Sequence, residues 1–573
     1  MEPHEHSVGR RGAEVLLETL FQEGVKYIFT VPGRESEAIL FNEAPGLEIV
    51  LTAVEFTAGF SAYAYALLTN IPQAVFATIG PGSANLANAI YSARADRVPI
   101  VFIAAQVERN RRYYNDTHQC INTIEIYKPI AKYAREVNAV SEISDTVSTA
   151  IKIANQETKG PTVISIPIDV LEESCVVFEK SSPQKTNTVD FFHKKTVFEG
   201  DSLNTVAIDM AENILRNSRQ PLIYVGHEVI RSKCEGEVHS LCKNFQIPLV
   251  SAYDAQGILP TGDDLNYFSC TSYAEGILGI ELNELVFGPA DCIIAFGYDW
   301  KDDVFPDMHF SIGKPKQLIN FSGCYPKEFQ HHFLQVQGNL KDSLTLLLRR
   351  LSESSPSFNR PYDITPLREA IRLKKKSTYA PKGLVSIISI MNIINESSGK
   401  LIVDVGTFRH YAILLGDVNR TNQFITSAGS SSFGVGLPLG LGTSLVSQNR
   451  ESKDIVLTGD GGFNSTIGDL RTLKKFDSDV IIIVLNNNKN GLIGIYQEKG
   501  QGQIYEPAFL HAKASFAKIA QGYGCEGFEV SSEAEFKDCL TLAFSLRGPI
   551  VIEVPIYYPE EDIKSLLSSC GLA

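Results

Sequence analysis

The sequence contains no CxxC pair, no long run of basic residues and no long apolar stretch. Its ten cysteines are scattered from Cys120 to Cys570, which argues against a disulfide scaffold or a structural zinc site and favours reduced thiols in a cytoplasm. Acidic residues outnumber basic ones by 66 to 52, for a net charge of −14, so we expect no nucleic-acid partner. The most uniform apolar run, 480–485, is too short to cross a membrane, and the polar start of the chain lacks the apolar segment of a secretory signal.

What is present is an ordinary globular composition, with 44% hydrophobic and 21% charged residues in 573 positions. A chain of this length exceeds one hydrophobic core and predicts about three domains. Short β-branched runs alternate with helix-length segments, a pattern typical of parallel strands buried in α/β layers. The predicted strands are 25–31, 49–54, 73–79, 99–105, 162–168, 221–225, 247–251, 292–296, 317–321, 401–405, 423–426, 454–457, 479–485 and 549–554.

Two polar segments interrupt this series. Residues 180–201 and 352–382 lack apolar periodicity, and we predict that both are linkers. The sequence therefore predicts an α/β fold of three doubly wound parallel-sheet domains, which span residues 1–183, 195–355 and 377–573.

The most specific chemical signal follows two neighbouring strands of the last domain. One predicted strand leads into Gly459-Asp460-Gly461-Gly462, and the next leads into Asn487, 27 positions after Asp460. A carboxylate from Asp460, an amide oxygen from Asn487 and a backbone carbonyl at Lys489 suit Mg²⁺ that also binds phosphate oxygens. The glycines allow backbone N–H groups to approach a diphosphate, and a helix is expected to start near Ser465. The alternative is an ordinary βα turn beside an asparagine-rich turn.

This pairing is the binding motif of thiamine diphosphate (ThDP), and the chain resembles the acetolactate synthase-like superfamily over nearly its whole length. The segments 31–33, 80–86 and 160–169 belong to the same resemblance. It implies pyrimidine-binding, central and diphosphate-binding domains, with ThDP and Mg²⁺ as cofactors. It also implies a cofactor bridging two subunits, hence a homodimer at minimum and an expected homotetramer. The cofactor-binding positions that it adds are Gly406, Phe408, Phe433, Gly491 and Leu492.

Glu55 opens a predicted helix, 56–68, directly after a predicted strand. A glutamate at a helix N-terminus is commonly just a favourable partner of the helix dipole. The resemblance implies a catalytic role instead, in which Glu55 contacts N1′ of the cofactor aminopyrimidine and promotes loss of the thiazolium C2 proton. Val54 stands where many relatives carry histidine, which removes a possible proton relay.

Several further segments resemble one branch of the superfamily, the N2-(2-carboxyethyl)arginine synthases. The segments are 115–120, 265–267, 404–411, 426–434 and 490–497. This resemblance implies transfer of a three-carbon unit from glyceraldehyde 3-phosphate to the α-amino group of L-arginine, with release of phosphate. The partners would be small molecules, a phosphorylated aldehyde and an amino acid.

Arg409 offers a planar fork for a phosphate and His410 a titratable neighbour. His118 and Gln119 follow a loop that in relatives faces the thiazolium, so these four residues are candidates for catalysis and substrate binding. Tyr273, Leu492 and Tyr558 are further candidates for the substrate pocket. Several of them also have an ordinary structural interpretation, such as an ion pair for Arg409 or a surface or core position for a histidine.

Two other interpretations of the motifs remain. The glycines at 434, 436 and 440 match a dinucleotide fingerprint poorly, and a packing helix start is favoured. Phe433 stands where the family usually has a bulky aliphatic residue between the cofactor rings, although it could be a core residue. No phosphate-binding signature supports FAD in the central domain.

Three functions remain open at this point. The first is a carboxyethylarginine synthase-like transferase, and the second is an acetolactate synthase-like decarboxylase or carboligase acting on 2-oxoacids. The third is a catalytically inactive relative with a scaffold role, against which the joint presence of Glu55, Asp460 and Asn487 argues.

Overall fold

A computed structural model of the chain describes most of its residues. They are 9–42, 45–112, 118–176, 203–269, 272–298, 316–323, 334–354, 356–359, 361–446, 452–491, 493–494, 497 and 514–563. The predicted linker 180–201, the candidate Leu492 and the side chain of the candidate Tyr273 lie outside this description.

The chain forms two compact units. The first contains Met1–Glu199 with Leu441–Val446, and the second contains Gly200–Gly440 with Ser447–Ala573. The strands of the first unit are β1 (Gly9–Arg11), β2 (Tyr27–Thr30), β3 (Glu48–Leu51), β4 (Gln73–Ala77), β5 (Ile100–Gln106), β6 (Tyr133–Glu136), β7 (Thr162–Pro167) and β8 (Ser174–Val176). Six of them form a parallel sheet in the order β3-β2-β4-β5-β7-β6, and β1 pairs with β8 in antiparallel fashion. Every residue of β4, β5 and β7 is buried, as expected for a sheet covered on both faces.

The second unit contains two parallel sheets. The five-stranded sheet has the order β10-β9-β11-β12-β13, and the other has the order β14-β20-β18-β17-β15-β16 with β19 also paired to β20. The strands are β9 (Pro221–Val225), β10 (Leu249–Ser251), β11 (Cys292–Phe296), β12 (Gln317–Ser322), β13 (Leu334–Gln337), β14 (Val385–Ser386), β15 (Leu401–Val403), β16 (Phe424–Ile425), β17 (Asp454–Gly459), β18 (Val480–Asn486), β19 (Glu526–Glu529) and β20 (Ile550–Tyr557). In β18, an unbroken apolar run explains its central place in the sheet, because both of its faces are buried.

Helices connect the strands and cover the sheets. In the first unit they are Gly12–Gln22, Glu37–Leu40, Glu55–Thr69, Pro81–Asn85, Ala87–Ala95, Thr123–Tyr127, Val140–Asn155 and Ile168–Glu172. The remaining helices are Thr205–Asn217, Glu228–Arg231, Glu235–Phe245, Ser272–Leu278, Leu282–Phe287, Leu340–Ser354, Thr365–Lys376, Ile387–Ile394, Thr407–Leu415, Gly436–Val446, Asp460–Thr466, Leu470–Lys475, Phe516–Gly522 and Glu533–Ser545. None of the helices in the described ranges is both long enough and apolar enough for a membrane span.

The predicted fold class is confirmed, because the three larger sheets are parallel and each predicted strand overlaps an observed one. The prediction of a linker over 352–382 is wrong in its middle, where the helix Thr365–Lys376 forms. That helix buries only Leu367 and Ile371, one turn apart, so its apolar stripe is too narrow to stand out among the lysines. The domain boundaries themselves remain predictions.

Candidate active site

The predicted metal residues meet at the carboxyl ends of β17 and β18. These strands are parallel neighbours with Gly459 opposite Leu485, so the residues that follow them lie side by side. Asp460 Oδ1 accepts a hydrogen bond from Gly461 N at 2.8 Å, and its Oδ2 accepts one from Asn487 N at 3.1 Å. Burial raises the pKa of the Asp460 carboxyl, against the opposing effect of these backbone donors.

Oxygen ligands at this position fit Mg²⁺. Asn487 Oδ1 accepts a hydrogen bond from Lys489 N at 3.3 Å, which holds the amide inside the same turn. Within the described ranges no cluster of three or more His, Cys, Asp or Glu residues could hold a metal. A cation bound here would therefore depend on one carboxylate, one amide, a main-chain carbonyl and oxygens of a ligand, a set that suits Mg²⁺ with a diphosphate.

A cavity of about 360 Å³ opens beside these residues. Many of the residues that line it are predicted from the sequence to bind the cofactor, the metal or the substrate. They are Gly406, Phe408, Phe433, Gly459, Asp460, Gly461, Gly462, Asn487, Lys489, Gly491 and Tyr558. The structure thus brings the described cofactor candidates of the second unit around one space. Their binding role stays a prediction.

The glycine turn is packed too closely to accept a side chain. A Cβ on Gly461 would lie 2.8 Å from Asn490 Oδ1 and 3.0 Å from the Phe433 ring, and one on Gly462 would lie 2.5 Å from Asp404 Oδ2. The helix starts at Asp460 and not near Ser465 as predicted, because the glycines can pack inside its first turns. This close-packed, side-chain-free backbone fits the approach of a diphosphate.

Phe433 lies at the cavity and is 49% exposed. A core phenylalanine would be nearly fully buried, so the alternative interpretation as a core residue is wrong. Its ring packs over the position of Gly461. An exposed aromatic ring beside the cavity is suited to support an apolar part of a bound cofactor.

Asp404 organises the loop that carries Phe433, and the sequence motifs did not single it out as a site residue. It is 1% exposed, and its Oδ1 accepts hydrogen bonds from Val405 N at 2.7 Å and from Gly434 N and Val435 N at 3.0 Å each. Its Oδ2 accepts one from Thr458 Oγ1 at 2.8 Å. The amides of the glycine-rich run are therefore used internally, in agreement with a packing helix start and not with dinucleotide binding.

Arg409 and His410 sit on the helix Thr407–Leu415 but differ sharply in environment. Arg409 Nη2 donates to Ser431 Oγ at 3.2 Å and its guanidinium lies over the Tyr253 ring at 5.9 Å. Its Nε and Nη1 are buried and have no hydrogen-bond partner in the described chain. Neither Arg409 nor His410 lines the cavity.

His410 is buried, and desolvation, with help from the Arg409 charge, lowers its pKa to about 3. The imidazole is therefore neutral at physiological pH. The expectation of a titratable neighbour for a phosphate does not hold in this environment, because a proton added to the ring would be buried beside a cation.

The first unit holds a separate group of candidates. Glu55 is the first residue of the helix Glu55–Thr69, and its Oε2 accepts a hydrogen bond from Asn85 Nδ2 at 3.0 Å. Gly80 has φ +61°, and a Cβ there would lie 2.8 Å from Gln119 Cβ. Gln119 and the adjacent His118 are exposed. Asn85 is the residue that sequence reasoning missed here; it lies within the quoted 80–86 segment, but only the fold shows that it reaches Glu55.

Three family models match the chain in order. Residues 10–126 match the N-terminal TPP binding domain of thiamine pyrophosphate enzymes, 208–347 match their central domain, and 404–554 match their C-terminal TPP binding domain. Thiamine pyrophosphate is another name for ThDP.

Curated relatives and a solved structure are similar along the whole chain. The acetolactate synthase of Bacillus subtilis is 26% identical over 577 residues, which covers 96% of this chain and 94% of the relative. The acetolactate synthase isozyme 1 large subunit of Escherichia coli is 26% identical, with 95% and 94% covered. The thiamine diphosphate-dependent 4-hydroxybenzoylformate decarboxylase of Rhodococcus jostii RHA1 superimposes with a TM-score of 0.80 at 19% identity, covering 96% of this chain and 100% of that one. At this identity the last similarity concerns the fold alone.

Proposed function

We propose, from the premise that this chain belongs to the thiamine diphosphate-dependent enzyme family, that it is an active enzyme of the acetolactate synthase type and requires Mg²⁺. The observation that carries this proposal is the convergence of Asp460, Asn487 and the glycine turn on one cavity. A scaffold protein without activity would have no need to keep this arrangement together with Glu55.

The residues have distinct roles in this proposal. When bound, ThDP supplies a thiazolium carbon that acts as a nucleophile toward a substrate carbonyl. Asp460, Asn487 and the main chain at Lys489 hold the metal, and Gly461 lets the backbone approach the diphosphate. Glu55 holds a proton at N1′ of the aminopyrimidine, with Asn85 orienting its second carboxylate oxygen.

The finer assignment starts from Arg409. A guanidinium with two buried N–H groups that lack partners is suited to an anionic substrate group, since each unmade hydrogen bond is costly. A phosphate and a carboxylate both satisfy this requirement. His410, being neutral, would act as a hydrogen-bonding neighbour and not as a second cation.

The first candidate reaction joins a three-carbon unit from glyceraldehyde 3-phosphate to the α-amino group of L-arginine, with release of phosphate. The resemblance of 115–120, 404–411 and 426–434 to carboxyethylarginine synthases supports it. His118 and Gln119 would donate hydrogen bonds to the substrate oxygen. Tyr273, Leu492 and Tyr558 complete the proposed substrate residues.

The second candidate reaction is decarboxylation of a 2-oxoacid, after which the remaining fragment is joined to a second carbonyl compound. The names of the reported curated relatives, which are acetolactate synthases, favour this reaction over the first. The same Arg409 would then bind the carboxylate of the 2-oxoacid.

One experiment separates the candidates. Purified protein with ThDP and Mg²⁺ is incubated with glyceraldehyde 3-phosphate and a mixture of amino acids, and in parallel with pyruvate. A mass gain of one carboxyethyl group on an amino acid, with equimolar phosphate, supports the transferase and names the acceptor. Carbon dioxide and acetolactate from pyruvate support the second candidate. Protein that binds ThDP but turns over neither substrate set contradicts both assignments.

The proposed assembly is a homodimer at minimum, with a homotetramer expected. Light scattering coupled to size-exclusion chromatography measures it directly. A monomer that is fully active contradicts the implied sharing of one cofactor between two subunits.

A further inference from the structure

A buried charged cluster lies outside the candidate cofactor residues. Asp562 is 2% exposed, and its Oδ1 forms an ion pair with Lys374 Nζ, whose side chain is 12% exposed. Its Oδ2 accepts a hydrogen bond from Tyr411 Oη at 2.9 Å. Burial raises the pKa of the Asp562 carboxyl, while Lys374 and Tyr411 stabilise its charged form.

The cluster joins three distant segments of the second unit. Lys374 belongs to the helix Thr365–Lys376, and Tyr411 belongs to the helix Thr407–Leu415 that also carries Phe408 and Arg409. Asp562 lies in the segment 558–563 that follows the end of β20 at Tyr557. Each oxygen of one carboxylate therefore ties that segment to a different helix.

The segment that Asp562 holds contributes to the cofactor cavity. Tyr558 lines the cavity, and its ring packs against that of Tyr411 with 5.9 Å between centroids and 37° between planes. Apart from the bonds of Asp562, no hydrogen bond or ion pair links 558–563 to the rest of the described chain. The side chains of Tyr558 and Ile563 otherwise rest on apolar packing.

We propose that Lys374, Tyr411 and Asp562 form an anchor that positions Tyr558 in the wall of the cofactor cavity. The anchor makes Asp562 a positioning residue for ThDP, a role that rests on the proposed function. Apolar packing alone leaves a tyrosine several orientations, whereas a two-sided anchor four residues later fixes the backbone that carries it. Removing one partner of a buried ion pair leaves the other without compensation, so the segment is expected to detach from its site.

The test compares Asp562→Asn with Asp417→Asn. Asp417 forms an ion pair at 2.7 Å with Lys375, which follows Lys374 in the same helix. The Asp417 side chain is 37% exposed, and Asp417 is far from Tyr558 in sequence. The two variants make the same chemical change. In Asp562→Asn we expect amide hydrogen exchange in 556–563 to rise at least tenfold, with exchange in β18 unchanged, and the ThDP dissociation constant to rise about tenfold in calorimetry. Asp417→Asn should change neither.

The near-ultraviolet circular dichroism of bound ThDP, measured at saturation, distinguishes the positioning role of Asp562 from a merely structural role. It should be altered in Asp562→Asn, because Tyr558 is displaced from the coenzyme. Faster exchange with unaltered ThDP affinity and dichroism overturns the positioning role, and unaltered exchange overturns the anchor. If Asp562→Asn does not fold, Tyr411→Phe, which removes only the hydroxyl, decides by the same criteria. Wild-type protein that binds no ThDP contradicts the proposed function, while the exchange measurement still decides the anchor.

Discussion

The substitution Gly462→Ala tests the close packing beneath the glycine turn. A Cβ at this position would lie 2.5 Å from Asp404 Oδ2 and 3.1 Å from Thr458 Oγ1. Neither neighbour can move freely, because the Asp404 carboxylate accepts four hydrogen bonds, one of them from Thr458 itself. The added methyl group must therefore displace the backbone of the turn.

The expected magnitude follows from two opposing effects. Overpacking a tight buried site costs about 1–3 kcal/mol, and this contact belongs at the upper end of that range. Alanine within a helix recovers about 1 kcal/mol relative to glycine. We expect a net destabilisation of about 2 kcal/mol, together with ThDP binding weakened about tenfold, which corresponds to about 1.4 kcal/mol.

Urea unfolding and calorimetric titration with ThDP at saturating Mg²⁺ measure the two quantities. Gly236→Ala is the control, because Gly236 lies in the helix Glu235–Phe245 and a Cβ there would meet nothing within 4 Å. That variant should be as stable as the wild type or slightly more stable. A Gly462→Ala protein with wild-type stability and ThDP affinity would refute the packing argument.

Three further predictions concern individual residues. Glu55→Gln should lower turnover at least 100-fold in the product assay while ThDP affinity changes less than threefold, because the amide cannot play the carboxylate's part at N1′; unchanged turnover contradicts its role. Asp460→Ala should abolish the Mg²⁺ dependence of ThDP binding in calorimetry, and retained dependence places the metal elsewhere. His410 has a folded pKa of about 3, below its unfolded value of about 6.5, so the unfolded chain binds the extra proton and stability should fall as pH drops from 6.5 toward 3. His410→Gln should weaken the pH dependence of the urea unfolding midpoint across that window. An unaltered dependence of the midpoint on pH assigns the acid sensitivity to other groups.

Strand positions were predictable where burial on both faces leaves an unbroken apolar run. β18 is such a strand, and its observed bounds differ from the prediction by one residue at each end. β6 and β19 were missed because they read YARE and EGFE, in which exposed polar residues hide the pairing. Their place in a sheet depends on the neighbouring strands β7 and β20, which no local pattern contains.

The metal half of the site was predictable for a topological reason. Asp460 and Asn487 each follow an apolar strand, and parallel strands end at the same edge of their sheet. Asp404 also follows such a strand, β15. Its carboxylate, however, accepts hydrogen bonds from the backbone amides of Gly434 and Val435, 30 and 31 positions later. Sequence places a carboxylate at the edge; only the folded loop shows whether it faces a ligand or the protein's own backbone.

Arg409 and His410 show how much environment decides between neighbours in sequence. Both are basic side chains on one helix beside Phe408, and a motif assigns them together to an anionic substrate. In the structure the imidazole is buried and neutral, whereas the guanidinium has two buried nitrogen donors without partners. A single cation with donors left on Nε and Nη1 can hydrogen-bond an oxyanion but cannot balance the second charge of a phosphate dianion. Balance of that second charge would require a further cation or hydrogen-bond donor, so Arg409 alone does not decide between a phosphorylated aldehyde and a 2-oxoacid as the substrate.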